Sequence, residues 1–184
     1  PVREFPKHDL NMLSGSRPHQ GFVLRAGALS VETLHGGLEA PDITAGDSGV
    51  VLALDEITDP MNLGALVRTA HFLGIDRVVL CQKNSAPLSP TVSKASAGAM
   101  ELAKISTTNN MMKFLDQSKE SGWTVVGTSL GGETVDLDGA GSAFDGPTIL
   151  VLGNEGHGIR TNVLNRCDAT VKIPGGEGSD VDSL

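Results

Sequence analysis

The sequence predicts an α/β fold: a mostly parallel sheet flanked by helices. Three observations carry this. Short apolar runs, such as Val50–Leu54 and Ile149–Leu152, have the length and continuity of strands buried on both faces. Helix-length segments opened by N-cap and proline signals lie between them, Asp59-Pro60 being the clearest. The run Ile149–Leu152 passes directly into a glycine-rich turn, Gly153-Asn154-Glu155-Gly156-His157-Gly158. Such a turn is expected at the carboxyl end of a parallel strand, where open α/β sheets bind ligands.

The elements follow in order. Gly21–Ala26 reads as one strand, and residues 35–48 as a polar surface loop. Val50–Leu54 is a buried strand, followed by a helix from Pro60 to about Leu73 that Gly74 ends. Arg77–Cys81 is the next strand, Thr91–Ala99 a helix of small residues, and Leu102–Ser106 a strand. Asn110–Ser121 is a helix whose apolar side is Met111, Met112, Phe114 and Leu115. Trp123–Thr128 and Thr148–Leu152 are strands, Ile159–Arg166 a helix, and Ala169–Ile173 the last strand. Alternation of strands and helices is what makes the sheet parallel.

Composition sets bounds. A chain of 184 residues, 39% hydrophobic and 20% charged, can bury one ordinary core. It holds no apolar run near the roughly 18 residues that a membrane helix requires. Residues 1–20 lack the apolar segment of a signal peptide, and a start at Pro1 implies a processed form or a fragment. Cys81 and Cys167 are far apart without CxxC spacing, so two reduced thiols are expected. No His/Cys cluster has zinc spacing. The net charge of −8 does not suggest a nucleic-acid binder.

The glycine turn admits several readings on its own. A phosphate cradle requires Lys and Ser/Thr after the last glycine, and none follows Gly158. A dinucleotide fingerprint is G-x-x-G-x-G reversed, and belongs early in a chain. A tight turn with glycines at positive φ and no ligand is the third.

Three blocks taken together resemble the SpoU family of RNA 2'-O-ribose methyltransferases, within the SPOUT superfamily. The first, DEITDPMNLGALVRTA from Asp55, is similar to the family's D-x-x-x-D-P-x-N-x-G motif with its R-T-A ending. The second, Leu150 to Ile159, is similar to L-x-x-G-x-E-x-x-G-[IM], and the third is Ile173-Pro174 followed by a loop and Ser183-Leu184. The resemblance covers residues 49–184 and is closest to mitochondrial large-subunit rRNA members. It implies a SPOUT-type fold with a carboxyl-terminal trefoil knot, which no residue pattern could predict because knots break the usual connection rules. It also implies a division into residues 1–47, a linker and remnant of an amino-terminal RNA-binding region, and 48–184, the catalytic domain. The family pattern continues past the position of Leu184 into a final helix, so the resemblance implies a domain that lacks that helix.

The resemblance implies S-adenosylmethionine as cofactor, no metal, no membrane, a homodimer, a ribosomal RNA substrate and a mitochondrial location. The cofactor loops would be Thr128, Ser129 and Leu130; Gly153, Asn154 and Gly156; and Ile173, Pro174 and Leu184. Glycine at 153 would let the backbone approach the cofactor without a Cβ between. Arg68, Asn62 and Glu155 would serve catalysis. Arg68 follows Gly64 and Ala65 at helical spacing, and leaning toward the amino terminus it would reach over small residues. The high pKa of a guanidinium makes it a poor base, so phosphate binding and alkoxide stabilisation suit it better. The alternative for Arg68 is a plain surface cation beside a close helix contact made by Gly64 and Ala65. Asn62 either caps its helix or contacts RNA; Glu155 either orients Arg68 or accepts amides of the turn. His157 is expected to face solvent, and His19 to be structural. A local RNA footprint would use Arg17, Arg68, Arg77, Lys94 and Arg160. The activity implied is methylation of a guanosine ribose in mitochondrial large-subunit rRNA. A tRNA 2'-O-methyltransferase and a non-catalytic RNA-binding or assembly subunit are the alternatives. A Rossmann-type enzyme is disfavoured because no early G-x-G-x-x-G exists.

Overall fold

The computed structural model describes residues 2–40, 49–129, 135–136 and 146–172. Five helices are described: α1 (Lys7–Leu13), α2 (Pro60–Phe72), α3 (Pro90–Ala95), α4 (Met111–Glu120) and α5 (Thr161–Leu164). The strands are β1 (Glu32–Leu34), β2 (Val50–Asp55), β3 (Arg77–Cys81), β4 (Ile105–Thr108), β5 (Thr124–Thr128), β6 (Val135–Asp136), β7 (Thr148–Gly153) and β8 (Ala169–Lys172). They form one sheet in the order β1-β4-β3-β2-β7-β5-β8-β6, and every pairing is parallel.

The central strands are apolar because both faces are covered. Along β2 the side chains alternate. Val51 and Ala53 join the core under α4 and α5, with Met111, Phe114, Leu115 and Val163. Leu52 and Leu54 join the core under α2 and α3, with Leu63, Val67 and Val92. Helix α2 buries Leu63, Gly64, Val67 and Ala70, a helical stripe, and α4 buries Met111, Phe114, Leu115 and Ser118. Each starts on a side-chain cap: Asp59 accepts the Met61 amide and Asn110 accepts the Lys113 amide, both at 3.0 Å.

The chain runs outward from β2 through β3 and β4, then places β5, β7 and β8 on the other side. The order therefore reverses between β2 and β7, where Asp55 lies in register with Gly153. This is the topological switch point, and its carboxyl side is the expected ligand crevice.

Several expectations are corrected. Residues 21–26 are not a strand; Phe22 and Leu24 stand 87% and 89% exposed and pair with nothing in the sheet. The first strand is instead the polar β1, which exists because β4 supplies an edge and Arg77 an ion-pair partner for Glu32. The 35–48 segment is not wholly a surface loop: Leu38 is half-buried and its amide donates to Ser118 Oγ at 2.9 Å, while Trp123 Nε1 donates to the Glu39 carbonyl at 2.8 Å. Helix α3 stops at Ala95, because Ala97 and Gly98 take left-handed φ of 53° and 88°. A 3-10 turn at Ala99–Glu101 follows, so β4 begins at Ile105 and Leu102 is exposed. Helix α1 and the two-residue β6 were not foreseen. The expected knot depends on residues 173–184, which lie outside the described residues.

Candidate functional site

The site is built from strand ends. Strand β7 ends at Gly153, and the turn folds back on itself: Asn154 and Gly158 exchange both backbone hydrogen bonds, at 3.0 and 2.9 Å. Asn154 Oδ1 accepts the amides of Gly156 at 2.8 Å and His157 at 3.3 Å. Asn154 Nδ2 donates to the Glu56 carbonyl at 2.8 Å, tying the turn to the end of β2. A Cβ added to Gly153 would fall onto the backbone of Gly158 and Ile159. The body that approaches Gly153 so closely on its Cβ side is the turn's own returning chain.

Thr128 ends β5, the neighbour of β7, and Ser129 follows it. The Thr128 hydroxyl donates to the Val151 carbonyl at 3.3 Å, and the Ser129 amide to the Val171 carbonyl of β8 at 3.0 Å. Sheet order thus brings together Thr128, Ser129, Gly153, Asn154 and Gly156. Leu130, Ile173, Pro174 and Leu184 lie outside the described residues.

Asn62 crosses from the first turn of α2 to the glycine turn, its Nδ2 donating to Glu155 Oε1 at 3.0 Å over 93 residues of sequence. It is therefore not the cap of its helix, a role Asp59 fills. Neither role expected of Glu155 is realised: its partner is Asn62, and the turn's amides go to Asn154. Arg68 is exposed and makes no ion pair or hydrogen bond among the described residues. Gly64 serves close packing after all, since a Cβ there would sit 2.9 Å from the Val92 carbonyl oxygen of α3. Ala65 is exposed beside Arg68.

The sequence reading gave no role to the group that holds the site together. Asp55, fully buried at the end of β2, receives Arg160 through its main-chain amide at 3.1 Å, Nε at 3.1 and 3.2 Å, and Nη2 at 2.6 Å. Arg160 Nη1 also meets Glu56 Oε1 at 3.1 Å. Hydrogen bonding to Asp55 raises the Arg160 pKa above its ordinary value. Glu56 holds a left-handed φ of 61° and accepts Asn84 Nδ2 at 3.1 Å, so it joins the ends of β2 and β3 to the turn. Strain of this kind persists only where surroundings over-determine it, and it concentrates at functional sites. The available signal was an Asp closing an apolar strand, since a buried carboxylate demands a partner.

His157 is exposed and lines an open cleft of about 460 Å³ with Met112, Arg160 and Asn162. Two footprint candidates are already engaged: Arg160 as above, and Arg77 by Glu32 and Ser106 at the amino end of β3, away from the site. Lys94 donates to the Pro18 carbonyl at 3.2 Å, and Arg17 is exposed. Both cysteines are free thiols. Among the described residues no three His, Cys, Asp or Glu converge as metal ligands, and no helix is long and apolar enough to cross a membrane.

Comparison with known proteins adds the following. Residues 49–184 match the model of the SpoU rRNA Methylase family. The chain is 39% identical over 210 aligned residues to rRNA methyltransferase 1, mitochondrial, of Dictyostelium discoideum, covering all of this chain and 39% of that protein. The protein of the same description from Schizosaccharomyces pombe is 37% identical, with all of this chain and 70% of that protein covered. The crystal structure of an AdoMet-bound rRNA methyltransferase from Sinorhizobium meliloti superposes with a TM-score of 0.65 at 29% identity, over 75% of this chain and 51% of that one. The chain therefore spans between about two-fifths and seven-tenths of the length of the two curated relatives.

Proposed function

The chain belongs to the SpoU rRNA methylase family, and from that membership we propose that it transfers a methyl group from S-adenosylmethionine to the 2'-hydroxyl of a guanosine ribose in mitochondrial large-subunit rRNA. The observation that carries this reading is the convergence of the β5, β7 and β2 ends at the switch point, with Asn62 reaching Glu155 across it. The mitochondrial rRNA assignment follows the Dictyostelium discoideum and Schizosaccharomyces pombe relatives. In this reading the protein acts as a homodimer.

The residues present fit the cofactor. Thr128, Ser129, Gly153, Asn154 and Gly156 offer hydroxyl, amide and backbone groups with no cation among them. A sulfonium is repelled by a nearby ammonium or guanidinium. The one guanidinium at the turn, Arg160, is neutralised by Asp55 and Glu56. When bound, the cofactor supplies an electrophilic methyl on a sulfonium, and the rest falls to the protein. Arg68, exposed and without an ion pair among the described residues, holds the target phosphate and stabilises charge developing on the ribose oxygen. Asn62 fixes one oxygen of Glu155, leaving the other to accept the hydroxyl proton. The Asp55–Arg160 pair keeps the turn seated on β2 while these groups act.

A ribose-methylation map of rRNA and tRNA after removal of the gene tests the proposal. Loss of one methylated guanosine in the large-subunit rRNA is expected. Loss confined to a tRNA position would move the substrate, and an unchanged map would remove the catalytic reading.

A further inference from the structure

The segment between α1 and β1 is ordered far more tightly than its exposure explains. No residue from 2 to 30 is buried or packs in a core cluster, and Val31, just before β1, is the first of the segment to do so. Yet the turn after α1 is closed by a dense set of bonds. Ser14 Oγ donates at 3.0 Å to either the Asn11 or the Arg17 carbonyl, and Ser16 N donates to the Asn11 carbonyl at 2.7 Å. The His19 ring is engaged at both nitrogens: Nδ1 accepts the Gly21 amide at 3.0 Å, and Nε2 lies 2.9 Å from Asn11 Oδ1. The acceptance at Nδ1 places the proton on Nε2, which donates to Asn11. Gly15, Ser16, Gln20 and Gly21 all hold left-handed φ, between 48° and 87°, and two of these are not glycine. A strained, exposed turn with no part in the core points to binding.

Its charge says what is bound. The turn encloses an open cleft of about 470 Å³ lined by Lys7, Asn11, Arg17 and His19 among others, and Lys94 of α3 holds its rim through the Pro18 carbonyl. Arg77, Lys119, Arg160 and Arg166 are each neutralised by a carboxylate. Lys7, Arg17 and Lys94 make no ion pair among the described residues, and Asp9 of α1 does not line the cleft. Lys94 precedes Ala95, against which Gly64 of α2 packs, so the cations continue toward the helix that carries Arg68. At the far side of the turn Phe22, its amide bonded to the His19 carbonyl, is 87% exposed.

We propose that this turn is an RNA subsite, in which Lys7, Arg17 and Lys94 hold backbone phosphate and Phe22 stacks on an unpaired base. The pairing of cations with an exposed ring is that of single-strand recognition, in which stacking tolerates any base and the charges track the backbone. It rests on the reading of the chain as an RNA methyltransferase and deepens it: the RNA approaches over α3, and its path leads from the turn to Arg68.

The test is fluorescence anisotropy of a labelled single-stranded RNA with the whole chain across a salt series. The Arg17→Ala/Lys94→Ala double variant should bind about tenfold more weakly and flatten the log–log salt slope by about 1.4, the share of two phosphate contacts. Phe22→Ala should weaken binding about tenfold with the slope unchanged. Lys113→Ala on α4, across the sheet, is the control and should match the unsubstituted chain. None of the substituted side chains is buried, so thermal midpoints should agree. Affinity and slope unchanged in the double variant overturn the subsite, as does an unsubstituted chain that binds no RNA. Failure of the methyltransferase reading shows separately: turn-dependent RNA binding would persist, but no labelled methyl would reach any RNA.

Discussion

At the scale of single residues, Gly153 and Arg68 separate two kinds of requirement. Gly153 is required by the fold, because its missing side chain leaves room for Gly158 and Ile159. Gly153→Ala should lower stability by about 2–3 kcal/mol through overpacking against backbone that cannot swing away. Gly156→Ala should be tolerated, since its Cβ would meet only Asn154 Oδ1 at 3.4 Å. Denaturant midpoints of the two variants decide this, and equal midpoints would remove the packing requirement at Gly153. Arg68 makes no ion pair or hydrogen bond with the described residues. Arg68→Ala should leave the thermal midpoint and S-adenosylmethionine affinity nearly unchanged while single-turnover methyl transfer falls roughly 10²–10⁴-fold. Arg68→Lys should recover little, because an ammonium lacks the planar fork. A near-normal rate in Arg68→Ala would take Arg68 out of the mechanism and leave Glu155 as the acting group.

At the scale of elements, the glycine turn is held to the sheet by side chains. Arg160→Ala would strand the fully buried Asp55 carboxylate at the end of β2. Breaking a buried pair on one side costs about 3–5 kcal/mol, and the lower end applies because the Arg160 side chain is 34% exposed. Asp55→Asn keeps the shape and an acceptor, so it should cost less stability. Both variants should lose S-adenosylmethionine affinity if the turn must stay seated to bind it. Calorimetry on folded Asp55→Asn checks this, and affinity equal to that of the unsubstituted chain would make the pair purely structural.

The elements also show what sequence patterning reaches. Strands β2, β3, β5 and β7 and helices α2 and α4 were legible because each carries its own period and boundary signals within a dozen residues. Strand β1 was not, since three half-polar residues become a strand only when β4 offers an edge. Gly21–Ala26 shows the converse: β-forming residues with no neighbour to pair with form no strand.

At the scale of the whole molecule, the packed sheet controls the chemistry of its cysteines. Burial pushes the Cys81 thiol up, and burial together with the neighbouring Asp168 carboxylate pushes Cys167 up to about 11. Native thiols should therefore resist alkylation near pH 8 and label quickly once denaturant unfolds the chain. The sign for stability follows. An unfolded thiol ionises near pH 9 while folded Cys167 stays neutral. The contribution of Cys167 is thus complete below about pH 9 and is lost as pH rises toward 11. Cys167→Ala should flatten that part of the stability profile. A Cys167→Ala profile that falls as steeply between pH 9 and 11 would assign the loss to other groups.

The sequence alone determined the fold class, the central strands with their two principal helices, and the family, through three motif blocks in order. It also named Asn62, Arg68, Glu155 and the glycine turn. Only the tertiary structure decided what these residues touch. Asn62 and Glu155 are 93 residues apart, and Asp55 and Arg160 are 105 apart. Each pair meets because the sheet order sets β2 beside β7. That order comes from non-local pairing of strands whose apolar runs look alike one by one, so local periodicity cannot select it. The same placement folds the returning chain of Gly158 and Ile159 against Gly153. The sheet also engages Arg160 across β2 and β7 and Arg77 across β3, β4 and β1, while Arg68, Arg17 and Lys94 keep their charges unpaired among the described residues.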